Sequence, residues 1–239
     1  MLSARTLDRL SSVASFLNTA PGPRGGQESE ERFTAATQLP ALVPELQDGE
    51  VRLRLAAAAA VRARELRERL TGVWALAVDD EPAAVEAVNA LLAETGPLRL
   101  AAGDDVVGLA PAQTPADAVE RLSAMAALAL AEAAMDGELT RLRVCEGEDC
   151  ENALVDASRN RSKRFCDEAN CANRTHVRSY RARLAEAEER GEDGKKDSAG
   201  GKKKESKKER KARKKAEKKA RKKAEKAERK RREAAAAED

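Results

Sequence analysis

Four thiols confined to one short stretch are the side chains of this sequence best equipped for chemistry. They fall within 27 residues, as Cys145-x4-Cys150-x15-Cys166-x4-Cys171. Two close pairs joined by a medium loop suit a tetrahedral ion. Each pair bends back to aim two thiolates at one metal about 2.3 Å away, and the loop brings the pairs together. Four sulfurs complete the shell and leave no position for a reacting water. Zn2+ is the first expectation, metal-free thiols the second and an iron–sulfur cluster the third; a disulfide framework fits poorly with an intracellular chain. Metal binding would then carry the folding of a segment with little core of its own, on the order of 10 kcal/mol. Gly147 and Asp149 in the first pair, and Asp167 and Asn170 in the second, suit tight turns. The lone histidine, His176, reads as a surface or phosphate-facing side chain beside a complete shell. No nucleophile–base pair is in view, so an enzyme is not expected. Oxidation of the cysteines with release of the metal, a thiol switch, is a further reading.

Cations crowd around the cysteines. Arg159, Arg161, Lys163 and Arg164 lie between the pairs, and Arg174, Arg178 and Arg181 follow Cys171. If Cys171 opens a helix, the last three share one face at i, i+4 and i+7, with Val177 and Tyr180 packing toward the cysteine module. Guanidinium forks suit phosphate oxygens or guanine edges, and Ser158, Asn160 and Ser162 add short donors. These seven cations are therefore the candidate nucleic-acid contacts, with DNA the first partner expected and RNA the second. The competing reading makes them salt-bridge partners of the acidic residues of the chain. Residues 1–140 sum to −9.

Charge is divided unevenly along the sequence. Residues 195–239 hold 22 Lys/Arg against 9 Asp/Glu, while the chain as a whole is only +3. A segment of net +13 favours polyanions, because counterions are released when it lies on phosphate; the alternative is a solubilising appendage. Residues 187–206 read as a linker, and from about residue 207 Lys, Arg, Ala and Glu favour helix without offering an apolar face to dock it. Disorder in isolation, with helix on an anionic partner, is expected there. Neither a secretory h-region nor an apolar run of membrane-spanning length is present, so a cytoplasmic protein without membrane contact is expected, nucleoid-associated if it binds DNA.

The elements that must position the cysteines come before them. With 5 aromatic residues, a core of Leu, Val and Ala favours packed helices. Apolar spacing predicts helices over 5–18, 39–46, 50–70 and from Pro82 through Leu92, with residues 21–26 (PGPRGG) a surface loop and Gly72 a stop. Leu98 and Leu100, then Val107 and Leu109, alternate across a turn and predict a β-hairpin. The segment 114–117 (TPAD) predicts a helix capped by Thr114, carrying Val119, Leu122 and Met125 and stopping at Gly137. The expected fold is mainly α with a small β-hairpin (α+β): a helical domain over 1–138, a small four-cysteine zinc finger over 139–186 and a basic tail over 187–239.

Residues 141–174, RLRVCEGEDCENALVDASRNRSKRFCDEANCANR, resemble the CGNR zinc-finger family, bacterial proteins with an N-terminal helical domain known as ABATE. The shared pattern is RLR, a cysteine pair, an Asp-Ser-Arg-Asn turn and a closing CGNR. Here Ala172 replaces the naming glycine and Phe165 the usual tryptophan. Residues 15–19, SFLNT, resemble the opening of the helical domain, and the lysine-rich tail resembles those of some actinobacterial nucleoid proteins. The resemblance implies stress-related transcription regulators that hold zinc and bind DNA through the finger. The helical domain would sense an unknown small-molecule effector or mediate oligomerisation. A protein-interaction or RNA/ribosome-associated zinc module is the alternative.

Overall fold

The computed structural model describes residues 2–102 and 107–189, with side chains to residue 186. The first helix, α1 (Ala4–Leu17), is capped by Ser3, whose hydroxyl accepts from Thr6 N at 3.0 Å. Within residues 21–26, expected to be a surface loop, Gly22–Pro23 form β1 of a miniature hairpin against β2 (Glu28–Ser29), and residues 24–27 make its turn. Leu39, Val43 and Leu46 are buried at the expected spacing, but the expected helix over 39–46 is broken into α2 (Leu39–Leu42) between 3-10 turns. Pro44 lacks the N–H that would continue it.

The expected helix over 50–70 is shifted. Residues 50–58 are not helical, and α3 spans Ala59–Asp79, running through Gly72. Two causes are visible. Arg54 N donates to Ala116 O (2.7 Å) and Ala118 N to Arg54 O (2.9 Å), which holds residue 54 as an isolated bridge. The buried Arg121 guanidinium donates to the carbonyls of Leu46, Val51 and Pro115 at 2.7–2.9 Å, consuming backbone acceptors on both sides. Gly72 stands on the solvent side, so it does not interrupt the buried row Leu66, Leu70, Val73, Trp74 and Ala77.

The helix α4 (Glu81–Glu94) opens at Asp80 with Pro82 in its first turn, as expected. The predicted hairpin is β3 (Leu98–Ala102) against β4 (Val107–Pro111), with Leu100 opposite Leu109. The next helix, α5 (Ala118–Met135), is capped by Asp117 rather than by Thr114. Asp117 Oδ1 accepts from Val119 N (3.0 Å) and Glu120 N (3.1 Å), because the bridge to Arg54 keeps residue 117 extended. Its alanine-rich surface is buried nearly all round, against α1, α3 and α4. Phe16 and Phe33 meet edge to face at 5.4 Å inside this core.

A third hairpin, not foreseen, follows: β5 (Leu142–Val144) pairs with β6 (Ala153–Val155). Leu142, Ala153 and Val155 belong to the same apolar core as the helices. The chain continues to α6 (Cys171–Glu189), and residues 2–186 lie in one compact unit. The expectations for residues 190–239 lie outside the described residues.

Candidate metal centre and its basic surroundings

The hairpin delivers the first cysteine pair. Cys145 follows β5, and its N–H extends the ladder by donating to Asn152 O at 2.8 Å. Cys150 stands at the other end of the same turn. The second pair closes as Asn170 N donates to Asp167 O (3.3 Å) and Cys171 opens α6. Asp149 and Asn170, each immediately before the closing cysteine of its pair, adopt φ of 53° and 51°. Those residue types tolerate the left-handed region better than most, so the turn residues singled out in the sequence serve both knuckles. Gly147 is required for another reason. A Cβ there would stand 2.8 Å from both Cβ and Sγ of Cys171.

All four cysteines are buried, and their sulfurs lie within 4.8 Å of one another. Sγ of Cys166 is 3.8 Å from that of Cys150 and 3.7 Å from that of Cys171. A tetrahedron with 2.3 Å metal–sulfur bonds has edges of about 3.8 Å. N–H groups point at sulfur: Gly147 N and Cys166 N at Cys145 Sγ (3.4 and 3.3 Å), and Asn152 Nδ2 at Cys166 Sγ (3.3 Å). Burial pushes the Cys145 thiol up, and burial together with the three neighbouring thiols pushes Cys171 up further. At Cys166 burial acts in the same direction, but the Asn152 amide and the Ala169 N–H outweigh it and draw the thiol down. Four crowded sulfurs, with N–H donors already aimed at two of them, fit a soft divalent cation that offsets the charge of the thiolates. His176 is exposed on α6 and stands outside the cluster.

The hinge between cysteines and helices is built from residues that the sequence reading named only as a motif. Asn18 Nδ2 donates to Ala153 O (3.0 Å), and Ala153 N donates to Asn18 Oδ1 (2.7 Å), so one amide side chain takes the place of a strand beside β6. Thr19 is fixed in turn by the buried Arg67, whose Nη1 reaches Thr19 Oγ1 at 2.8 Å and Glu31 Oε1 at 2.7 Å. Trp74 Nε1 points to Leu154 O at 3.4 Å. The β1–β2 hairpin seats the first knuckle: Gly26 N donates to Asp149 O (2.8 Å) and Glu151 N to Pro23 O (3.0 Å).

The Asp-Ser-Arg-Asn turn is internal scaffolding. The buried Asp156 carboxylate accepts from Ser158 N (2.9 Å), the Ser158 hydroxyl and Lys163 N (3.0 Å). Ser158 Oγ also accepts from Ser162 N at 2.9 Å, so the Ser158 hydroxyl, expected as a phosphate donor, holds the loop, to which Ser162 contributes its backbone N–H. Arg141 is buried and ties Glu138 to the carbonyls of Asp156 and Ser158 at 2.7–2.9 Å.

Of the seven candidate cations, four face carboxylates. Arg161 pairs with Glu138 (2.9 Å), Lys163 with Asp167 (2.8 Å), Arg164 with Glu146 through Nε (2.7 Å), and Arg178 with Glu148. Arg174 lies against residues 25 and 26, where a Cβ on either glycine would overlap its guanidinium. Arg159 and Arg181 have no carboxylate partner among the described residues. Arg174, Arg178 and Arg181 do line one groove, of about 870 Å3, between α6 and the first knuckle. Val177 and Tyr180, expected to pack toward the finger, are instead 48% and 58% exposed, because α6 is anchored at its first turn and projects beyond it. Ala172 sits in that first turn and is absent from the positive-φ residues, so no glycine is needed there.

Two family matches follow the same order along the chain. Residues 11–137 match ABATE, described as "Putative stress-induced transcription regulator", and residues 141–184 match the CGNR zinc finger. No curated protein matches the chain. Neither family is a family of enzymes. With the first match covering more than half of its length, the chain belongs to the ABATE family and carries a CGNR zinc finger directly behind that domain.

Proposed function

We propose that the protein is a zinc-stapled regulator of transcription that binds DNA through its finger. One Zn2+ is held by Cys145, Cys150, Cys166 and Cys171, and supplies the positive charge that lets four crowded thiols ionise together. The observation that carries the reading is the convergence of four buried sulfurs at tetrahedral spacing beneath the first turn of α6. That turn aims a projecting helix whose Arg174, Arg178 and Arg181 line one groove. Arg159 and Arg181 meet phosphate directly, and Arg161, Lys163, Arg164 and Arg178 do so by exchanging their carboxylates for it. The tail, 187–239, adds sequence-independent affinity through its charge.

Binding of a labelled duplex should weaken with salt at a slope of about −0.9 per phosphate neutralised. Removing residues 195–239 should flatten that slope while keeping any sequence preference, and Cys145→Ser should abolish that preference. Equal slopes for the full and truncated chains would exclude the tail; equal preference in Cys145→Ser would exclude the finger. The number of cations already paired favours a second reading, a finger that docks on RNA or protein without reading DNA sequence. Competition between duplex DNA and structured RNA separates the two.

A further inference from the structure

We propose that Glu146 and Glu148, on the turn between the first two cysteines, act as built-in competitors of phosphate that set the finger's discrimination against non-specific polyanions. The inference rests on the finger being the nucleic-acid surface. Both glutamates line the groove that also holds Arg174, Arg178 and Arg181, so acceptors and donors share one cleft. Glu146 holds Arg164 through Nε at 2.7 Å, and Glu148 holds Arg178. All four side chains are between 45% and 64% exposed. Exposed pairs of this kind are weak and readily exchanged, so they do not lock the arginines away.

Neither carboxylate is used to build the turn. Glu146 is tied by its backbone N–H to Arg164 O (2.9 Å), Gly147 by its N–H to Cys145 sulfur, and Asp149 by its carbonyl to Gly26 N. The side chains are therefore available for a role at the surface. The consequence is electrostatic. A phosphate that reaches Arg164 or Arg178 must displace a carboxylate from it, and the displaced carboxylate stays nearby as a like charge. A bare polyanion gains little from that exchange. A duplex that offers base-edge donors, such as the cytosine amino group, gives the released glutamate a partner and recovers the cost.

The test measures anisotropy of a random-sequence duplex with the full chain at about 0.1 M salt, comparing Glu146→Gln, Glu148→Gln and the double variant, with zinc content determined for each. The double variant should bind at least about fivefold tighter, with a steeper salt slope, approaching −0.9 more per arginine released. Arg178→Gln should cancel the gain from Glu148→Gln. If either glutamine variant proves poor in zinc, the other, with its arginine cycle, decides. Unchanged affinity in the zinc-loaded variants overturns the inference. If Arg159→Gln with Arg181→Gln weakens binding while the glutamate variants do not alter it, the inference falls and the nucleic-acid reading stands. If neither set alters binding, both fall.

Discussion

Gly147 is the residue to which the cysteine cluster leaves least room. A methyl group there would press on Cys171 itself, a ligand candidate fixed at a helix start, so the knuckle must open to admit it. Gly147→Ala is expected to lower zinc affinity about 10- to 100-fold, the range typical of disturbed supporting residues, as read by competition with a chromophoric chelator. Unchanged affinity would show that the turn relaxes freely. Asp156 supports a second prediction. Burial opposes its charge, but the Ser158 hydroxyl and the N–H groups of Ser158 and Lys163 outweigh it and hold the carboxyl below its usual range. A carboxyl lowered on folding contributes stability that is complete above its unfolded value of about 3.9 and is lost as pH falls through the folded value. Asp156→Asn should therefore cost about 1–3 kcal/mol at pH 7. In urea titrations the gap between variant and parent should narrow below about pH 4; a gap independent of pH would contradict this. The cysteines were legible at this scale because ligand chemistry restricts residue type and spacing. Gly147 could be read only as turn-compatible, since its need comes from a contact 24 positions away. The pairing of Arg161 with Glu138, likewise, depends on packing that spacing does not encode.

Elements mount the centre, and the mount is more specific than the helical pattern. Asn18 satisfies both backbone groups of Ala153 from the end of α1, so Asn18→Ala leaves a buried N–H and C=O without partners. A loss of about 2–4 kcal/mol is expected in urea denaturation. A loss under about 0.5 kcal/mol would mean that water replaces the amide. Helices α1, α4 and α5 were readable from apolar period, and β3–β4 from alternation, because each repeats its signal over several residues. The strands β5 and β6 are three residues each, too short for any period to show. The extended stretch before α3 was misread as helix because Val51 and Leu55 continue the apolar spacing, yet both are 40% exposed. A buried arginine, Arg121, sets the backbone there, and a charged residue gives no sign in sequence that it will be internal.

At the scale of the whole molecule, the finger's hairpin and the helices share one core. Leu142, Ala153 and Val155 pack with the apolar side chains of α1, α3 and α5, and Trp74 reaches the carbonyl of Leu154. Metal removal should therefore be felt by the helices. A strong chelator is expected to lower Tm by about 10 °C in a single transition, since 1 kcal/mol moves a unit of this size by about 2–4 °C. An early finger transition with the helical one unmoved would show the two to be independent. The ABATE match and the charge division were visible along the sequence, but the intimacy of finger and helices was not, because it depends on Asn18, Pro23 and Gly26 meeting a segment more than a hundred positions away.

The central claim is that one ion on four thiolates organises the finger, and native mass spectrometry of the full chain tests it most directly. The account predicts one zinc per chain, with the added mass short by the protons that the thiols surrender, and resistance of all four cysteines to alkylation until the metal is withdrawn. A metal-free chain whose four cysteines remain equally protected would contradict it.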